Sequence, residues 1–94
     1  MVNRCLSPKI WPLPRLIRAA RGLAGLDQAA LAQHAGVSRH AVMAIEGDEN
    51  DTMDYRRLKV LHRLQAVLED EFGIEFQKAT KKAGAGVRFR DPKA

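Results

Sequence analysis

Residues 27–46 read DQAALAQHAGVSRHAVMAIE, a pattern that two short helices and an intervening turn explain. Asp27 and Ser38 are both good N-caps, because a short side-chain oxygen can accept a backbone N–H from the first turn. After Asp27, the apolar residues Leu31, Ala32 and Ala35 share one face of a helix from Gln28 to Ala35. After Ser38, Val42 and Ile45 do the same for a helix from Arg39 to about Glu46. Gly36 stands between them, where a chain reversing direction needs a residue at positive φ. Two-turn helices are not stable alone, so both must pack on something.

On the N-terminal side, Pro14 suits a first helical position, where its missing N–H is harmless. The helix it opens is expected to run to about Ala20 or Arg21 and to bury Leu16, Ile17 and Ala20. Gly22 and Gly25 are both available to end it. Residues 1–13 read as an irregular N-terminal arm broken by Pro8 and Pro12, with Trp11 placed to tuck it onto the body.

On the C-terminal side, Gly47 to Asp51 form an acidic loop. A long helix follows from about Asp54 to Phe72. Its apolar stripe of Leu58, Leu61, Leu64, Val67, Leu68 and Phe72 has the spacing of core packing rather than of a ligand site. The period then changes. Gly73-Ile74-Glu75-Phe76-Gln77 and Gly86-Val87-Arg88-Phe89-Arg90 alternate apolar and polar residues as half-buried strands do. Residues 78–85 can link them as an antiparallel hairpin with Ile74, Phe76, Val87 and Phe89 on one face, and Glu75 near Arg88 and Arg90 on the other. Such a hairpin is marginal alone, so it must pack on the long helix, pair with another chain, or both.

Ninety-four residues allow one small domain, and 46% hydrophobic with 29% charged residues is an ordinary globular balance. The net charge of +5 favours a polyanionic partner, but it is a remainder of three unlike blocks. Residues 1–45 carry Arg4, Lys9, Arg15, Arg18, Arg21 and Arg39 against Asp27 alone. Residues 46–76 hold nine acids and four bases, and residues 77–94 hold six bases against Asp91. A polyanion should meet the first or the last block. The single cysteine, Cys5, excludes an internal disulfide framework and suits a reducing compartment. No apolar run approaches the roughly 18 residues of a membrane span. The first 26 residues lack acids, as mitochondrial targeting peptides do, but Arg18 and Arg21 fit the helical framework instead. Ser7, Pro8, Lys9, Pro12 and Pro14 interrupt any secretory core, and cytoplasmic residence is the expectation.

Gln28, Ala32, Gly36, Val42 and Ile45 stand at the offsets of the helix-turn-helix in phage repressor and Cro-like regulators, the Xre family. Arg21, seven residues before Gln28, and Glu46, closing the second helix, complete the match at seven positions over 26 residues. The resemblance covers roughly residues 15–72. It implies a mainly α, lambda-repressor-like helix-turn-helix bundle of about four helices, here with a C-terminal β-hairpin. In domain terms this gives an N-terminal arm (1–13), a DNA-binding domain (14–72, recognition helix about 38–46) and a hairpin with a basic tail (73–94).

What the resemblance implies for function is sequence-specific binding of double-stranded DNA by a transcriptional regulator, acting as a homodimer on palindromic sites. The recognition helix would expose Ser38, Arg39, His40 and Met43 to base edges in the major groove, with Ala44 at the rim. Arg39 can pair bidentately with guanine, and Met43 can touch a thymine methyl. Gln28, Arg21, Arg18 and Arg15 are the expected phosphate contacts, with Arg21 and Glu46 paired as in the family. Ala32, Gly36, Val42, Ile45 and Glu46 are framework. The hairpins of two chains, or the stripe of the long helix, are the expected dimer surfaces.

The chain also departs from the family pattern. Asp48, Glu49 and Asp51 follow Gly47 where basic residues are frequent, and they would repel phosphate. Either the loop points away from DNA, or affinity is modest, or the loop serves another partner. An antitoxin or anti-regulator binding a partner protein through that loop or the tail is therefore the alternative. An RNA- or membrane-binding module fits the composition but not the helix-turn-helix offsets. Glu69, Asp70 and Glu71 point different ways around a helix, His34, His40 and His62 match no metal spacing, and no nucleophile-plus-base pattern appears. Neither catalysis nor a cofactor or metal is expected.

Overall fold

The computed structural model describes residues 10–50 and 52–93. In chain order these form α1 (Pro14–Ala24), α2 (Gln28–Ala35), α3 (Arg39–Glu46), α4 (Tyr55–Phe72), β1 (Ile74–Gln77) and β2 (Gly86–Phe89). The expected class is the observed one, mainly helical with a two-stranded antiparallel hairpin at the C-terminal end.

The caps explain most of the helix boundaries. Asp27 accepts the Ala30 N–H at 2.7 Å, Ser38 accepts that of Ala41 at 3.0 Å, and Asp54 accepts that of Arg57 at 2.8 Å. Asp54 is thus the cap of α4 rather than its first residue, and the helix begins at Tyr55. α1 is longer than its sequence pattern implies, because Gly22 stays helical and Gly25, at φ 75°, ends the helix. A glycine inside a helix costs only about 1 kcal/mol, whereas the reversal after Ala24 requires positive φ and so falls on Gly25.

Ile17, Ala20, Leu31, Val42, Leu61, Leu64, Leu68 and Ile74 are wholly buried and form the core with Ala32, Ala35 and Ile45. Each large aliphatic among them contributes about 1.5–3 kcal/mol by leaving water. Leu58 and Phe72, towards the ends of the α4 stripe, are only partly buried. Two core members lie outside any periodic segment: Ile10 in the arm and Met53 just before α4. The arm is tied down next to Ile10. The Trp11 carbonyl accepts from His62 Nε2 at 2.8 Å, and Lys78 Nζ lies 5.7 Å from the centre of the Trp11 ring. A carbonyl can only accept, so His62 carries its proton on Nε2 in this contact. Residues 1–9, with Arg4, Cys5 and Lys9, lie outside the described residues, as does Asp51.

α1 and α4 pack together and form a platform with two occupants. α2 and α3 pack on each other, α2 also on α4 and α3 on both platform helices, and the hairpin packs on the same two. The strands pair Ile74 with Phe89, Glu75 with Arg88, Phe76 with Val87 and Gln77 with Gly86. This is the register that puts the four apolar residues on one face. Beyond the strands, the Arg90 N–H donates to the Gly73 carbonyl at 2.8 Å. Thr80 orders the tip: its hydroxyl accepts from the Lys82 and Ala83 N–H groups at 3.2 and 3.1 Å. No described helix is long and apolar enough to cross a membrane.

Candidate nucleic-acid interface

The turn between α2 and α3 is built from three residues, each with a distinct task. Gly36 takes φ 71°. Val37 donates its N–H to the Ala32 carbonyl at 3.0 Å and packs against the core. Ser38, in an extended conformation, caps α3. The helix then starts with Arg39 and His40 facing outward, while Val42 and Ile45, three residues apart, fix its inner face in the core. Ser38, Arg39, His40 and Met43 are all exposed, Met43 at 41%. Ala44 is exposed beside them.

The far end of α3 is held by charge. Glu46 is only 4% exposed in its side chain, and Arg21 grips it with two parallel bonds: Nε to Oε2 at 2.7 Å and Nη2 to Oε1 at 3.0 Å. This fork geometry is the strong form of a carboxylate–guanidinium pair. Arg21 Nη1 also donates to the Leu26 carbonyl at 3.0 Å, and Gln28 Nε2 donates to Glu46 Oε1 at 3.1 Å. One buried carboxylate thereby ties together α1, the first residue of α2 and the last of α3. The hydrogen bonding of Arg21 to the Glu46 carboxylate is the main reason that Arg21 is held above its already high ordinary pKa, with burial opposing and the charges of Glu46 and Asp27 assisting.

These bonds limit how Arg21 and Gln28 can meet a phosphate. The Gln28 amide is turned onto Glu46, so an anion there would meet its second amide hydrogen and the backbone N–H groups opening α2. Arg21 has two of its five hydrogens left. Both residues, with Asp27, Ala29 and Arg39, line a shallow depression of about 330 Å³. The Arg39 guanidinium and the amino end of α2 make this hollow suitable for an anion, and the Asp27 carboxylate at its edge opposes one. Arg15 and Arg18 are exposed on α1 one turn apart, and neither forms an ion pair among the described residues.

No protein-family model matches the chain, and no curated protein matches it.

The acidic loop is arranged differently from its sequence reading. The Asp48 side chain is 1% exposed: Oδ1 accepts the Asn50 N–H at 2.9 Å, and Oδ2 lies 3.1 Å from Arg57 Nη1. That contact is an ion pair without hydrogen-bond alignment, since Oδ2 has no hydrogen-bond partner. Glu49 is exposed, and Asp51 lies outside the described residues. One of the three acids expected to repel phosphate is therefore buried and paired. The spacing of Asp48 and Arg57 gave no signal of this, because a nine-residue separation across a loop matches no helical or strand period. The acids at the end of α4 are also partly occupied: Glu71 accepts from His34 Nδ1 at 2.8 Å, and the His34 ring meets Phe72 edge-on.

Proposed function

We propose that this chain is a sequence-specific double-stranded DNA-binding regulator of the Xre or Cro type. On this reading it is cytoplasmic, it acts by binding rather than catalysis, and it needs no cofactor. The observation that carries the reading is the surface of α3, where Ser38, Arg39, His40 and Met43 stand outward together while Val42, Ile45 and Glu46 anchor the opposite face. A helix so anchored at its inner face and so free at its outer one suits insertion into the major groove. Arg39 would pair with guanine, and His40 and Met43 would contact neighbouring bases. Arg15, Arg18, the remaining hydrogens of Arg21 and the amino end of α2 at Gln28 would meet phosphates and fix register.

A homodimer on a palindromic site completes the reading, since one such helix covers only a few base pairs and half-sites lie about 34 Å apart. The apolar stripe of α4 and the apolar face of the hairpin both pack on the chain's own core, so a dimer through the hairpin would use the edges of its two-stranded sheet. The alternative of a partner protein captured by the acidic loop loses one acid to the interior at Asp48.

Selection of bound sites from a random duplex pool supplies the cognate sequence for the test. Arg39→Ala should then weaken the cognate duplex by about 1–3 kcal/mol more than random duplex. Arg18→Ala should weaken both alike and lower the salt slope by about one. Equal loss on both duplexes for Arg39→Ala removes the base-reading role. A failure to enrich any sequence removes the function.

A further inference from the structure

We propose that Asp48 and Arg57 form a clasp that sets the seat of the recognition helix, with Asp48 a positioning residue for base reading. The proposal rests on the DNA-binding reading above and adds to it a residue pair outside the family pattern.

The clasp begins where α3 ends. Gly47 donates to the Met43 carbonyl at 3.0 Å and Asp48 to that of Ile45 at 3.2 Å, so the chain turns tightly off the helix and carries the Asp48 carboxylate inward. The receiving group is equally fixed. Arg57 is the third residue of α4, its N–H is bonded to the Asp54 cap, and its guanidinium reaches back to Asp48 Oδ2 at 3.1 Å. Arg56, Lys59 and Arg63 on the same helix are exposed and form no ion pair among the described residues. Arg57 alone of these four reaches Asp48, with its side chain still 39% exposed. Removing the guanidinium would leave the Asp48 side chain, 1% exposed, without its ion-pair partner, whereas Arg57 keeps water.

The mechanical consequence follows from the length of α3. Eight residues are two turns, roughly 12 Å, so a tilt of about 10° around the carboxyl end moves the amino end by roughly 2 Å. Ser38, Arg39 and His40 are at that moving end. Hydrogen bonds to base edges are lost over a fraction of that distance, whereas long arginines can follow a phosphate. Glu46 ties the carboxyl end of α3 to α1, and Asp48 ties it to α4. The core contacts of Val42 and Ile45 and the Glu46 bonds hold α3 against α1 and α2, and the Asp48 pair adds a polar tie to α4.

The test uses the full chain with Asp48→Asn, Arg57→Gln and the double variant, at a temperature where circular dichroism shows each to be folded. Fluorescence anisotropy against the selected duplex and a random duplex gives the ratio of their affinities, measured across salt concentrations. Each single variant should lower that ratio about tenfold, the double should lower it no further, and the salt slope should stay unchanged. Amide exchange at Glu46 to Asp48 without DNA should rise equally in all three. An Arg57→Gln effect that lowers the salt slope by about one, with Asp48→Asn retaining the full ratio, makes Arg57 a phosphate contact and overturns the clasp. Unchanged amide exchange overturns it whatever the DNA result. If the unaltered protein selects no duplex, the DNA-binding reading fails, and amide exchange still decides whether the clasp exists.

Discussion

The α2–α3 unit and the hairpin sit on the same two helices and are attached by different physics. Beneath α2 and α3 the apolar anchors Leu31, Ala32, Ala35, Val42 and Ile45 are joined by two ion pairs whose carboxylates are 4% and 1% exposed. Beneath the hairpin Ile74 is wholly buried, and Phe76, Val87 and Phe89 are half-buried beside it. The strand pair's own ion pair, Glu75 with Arg88, stands in solvent. Apolar burial is non-directional: it fixes that a segment covers the core, but only loosely at what angle. The forked Arg21–Glu46 pair is directional and fixes the angle too, and the Asp48–Arg57 pair adds a charge contact without that alignment. The costly kind of contact thus lies under the helix whose orientation matters to the proposed function, and the undemanding kind lies under a segment that covers the core.

The largest effect expected from this contrast is on the hairpin side. Ile74→Ala removes a fully buried side chain and should cost about 2–5 kcal/mol of stability, read as a lower urea midpoint. Because the attachment is apolar, the ratio of cognate to random duplex affinity in the folded protein should not change. A lower ratio would show that the hairpin also orients α3, and the contrast would break.

Glu46→Ala tests the other half and should cost about 3 kcal/mol, because Arg21 is left without its carboxylate while only 18% exposed. Here stability and the affinity ratio should fall together. Loss of stability with an intact ratio would reduce the network to a plain structural contact. The sign of Arg21's own contribution to pH dependence follows from its shift. Its pKa is raised, so its part in the pair is complete below the ordinary arginine value and is lost only at still higher pH. The guanidinium therefore stays charged throughout the neutral range.

How much of this was legible in the sequence depends on the range of the interaction. Caps and turns act over three or four residues, so Asp27, Ser38 and Gly36 could be read directly, as could the alternation that sets the hairpin register. The extension of α1 past Gly22 was not, because a glycine marks a place where a helix can end without forcing it to. Ile10 and Met53 were missed for a related reason: each is one apolar residue outside a periodic run, and only the assembled core shows that it is covered. Arg21 and Glu46 are 25 residues apart, so no local pattern joins them; only the family resemblance anticipated the pair. The direction of the Gln28 amide and the inward turn of Asp48 needed coordinates, since both depend on where one helix places a charge relative to another.

The smallest expected effect is at Glu75, and it decides whether burial or mere pairing distinguishes the two regions. Arg88 Nε donates to Glu75 Oε1 at 3.1 Å, much as Arg21 donates to Glu46, but the two side chains are 61% and 40% exposed. Water and salt screen such a pair, and two long side chains lose rotamer freedom to hold it, so it should contribute about 0.3 kcal/mol. Turning the Gln77 amide so that its oxygen faces Arg88 would let it accept from Nη2 at 3.0 Å, giving Arg88 a partner when the carboxylate is removed. Glu75→Gln should therefore leave the thermal midpoint within about 2 °C of the original and hardly alter its salt dependence. A loss near that of Glu46→Ala would mean that pairing across the strands, and not exclusion from water, gives these contacts their strength. The hairpin would then be as rigidly oriented as α3.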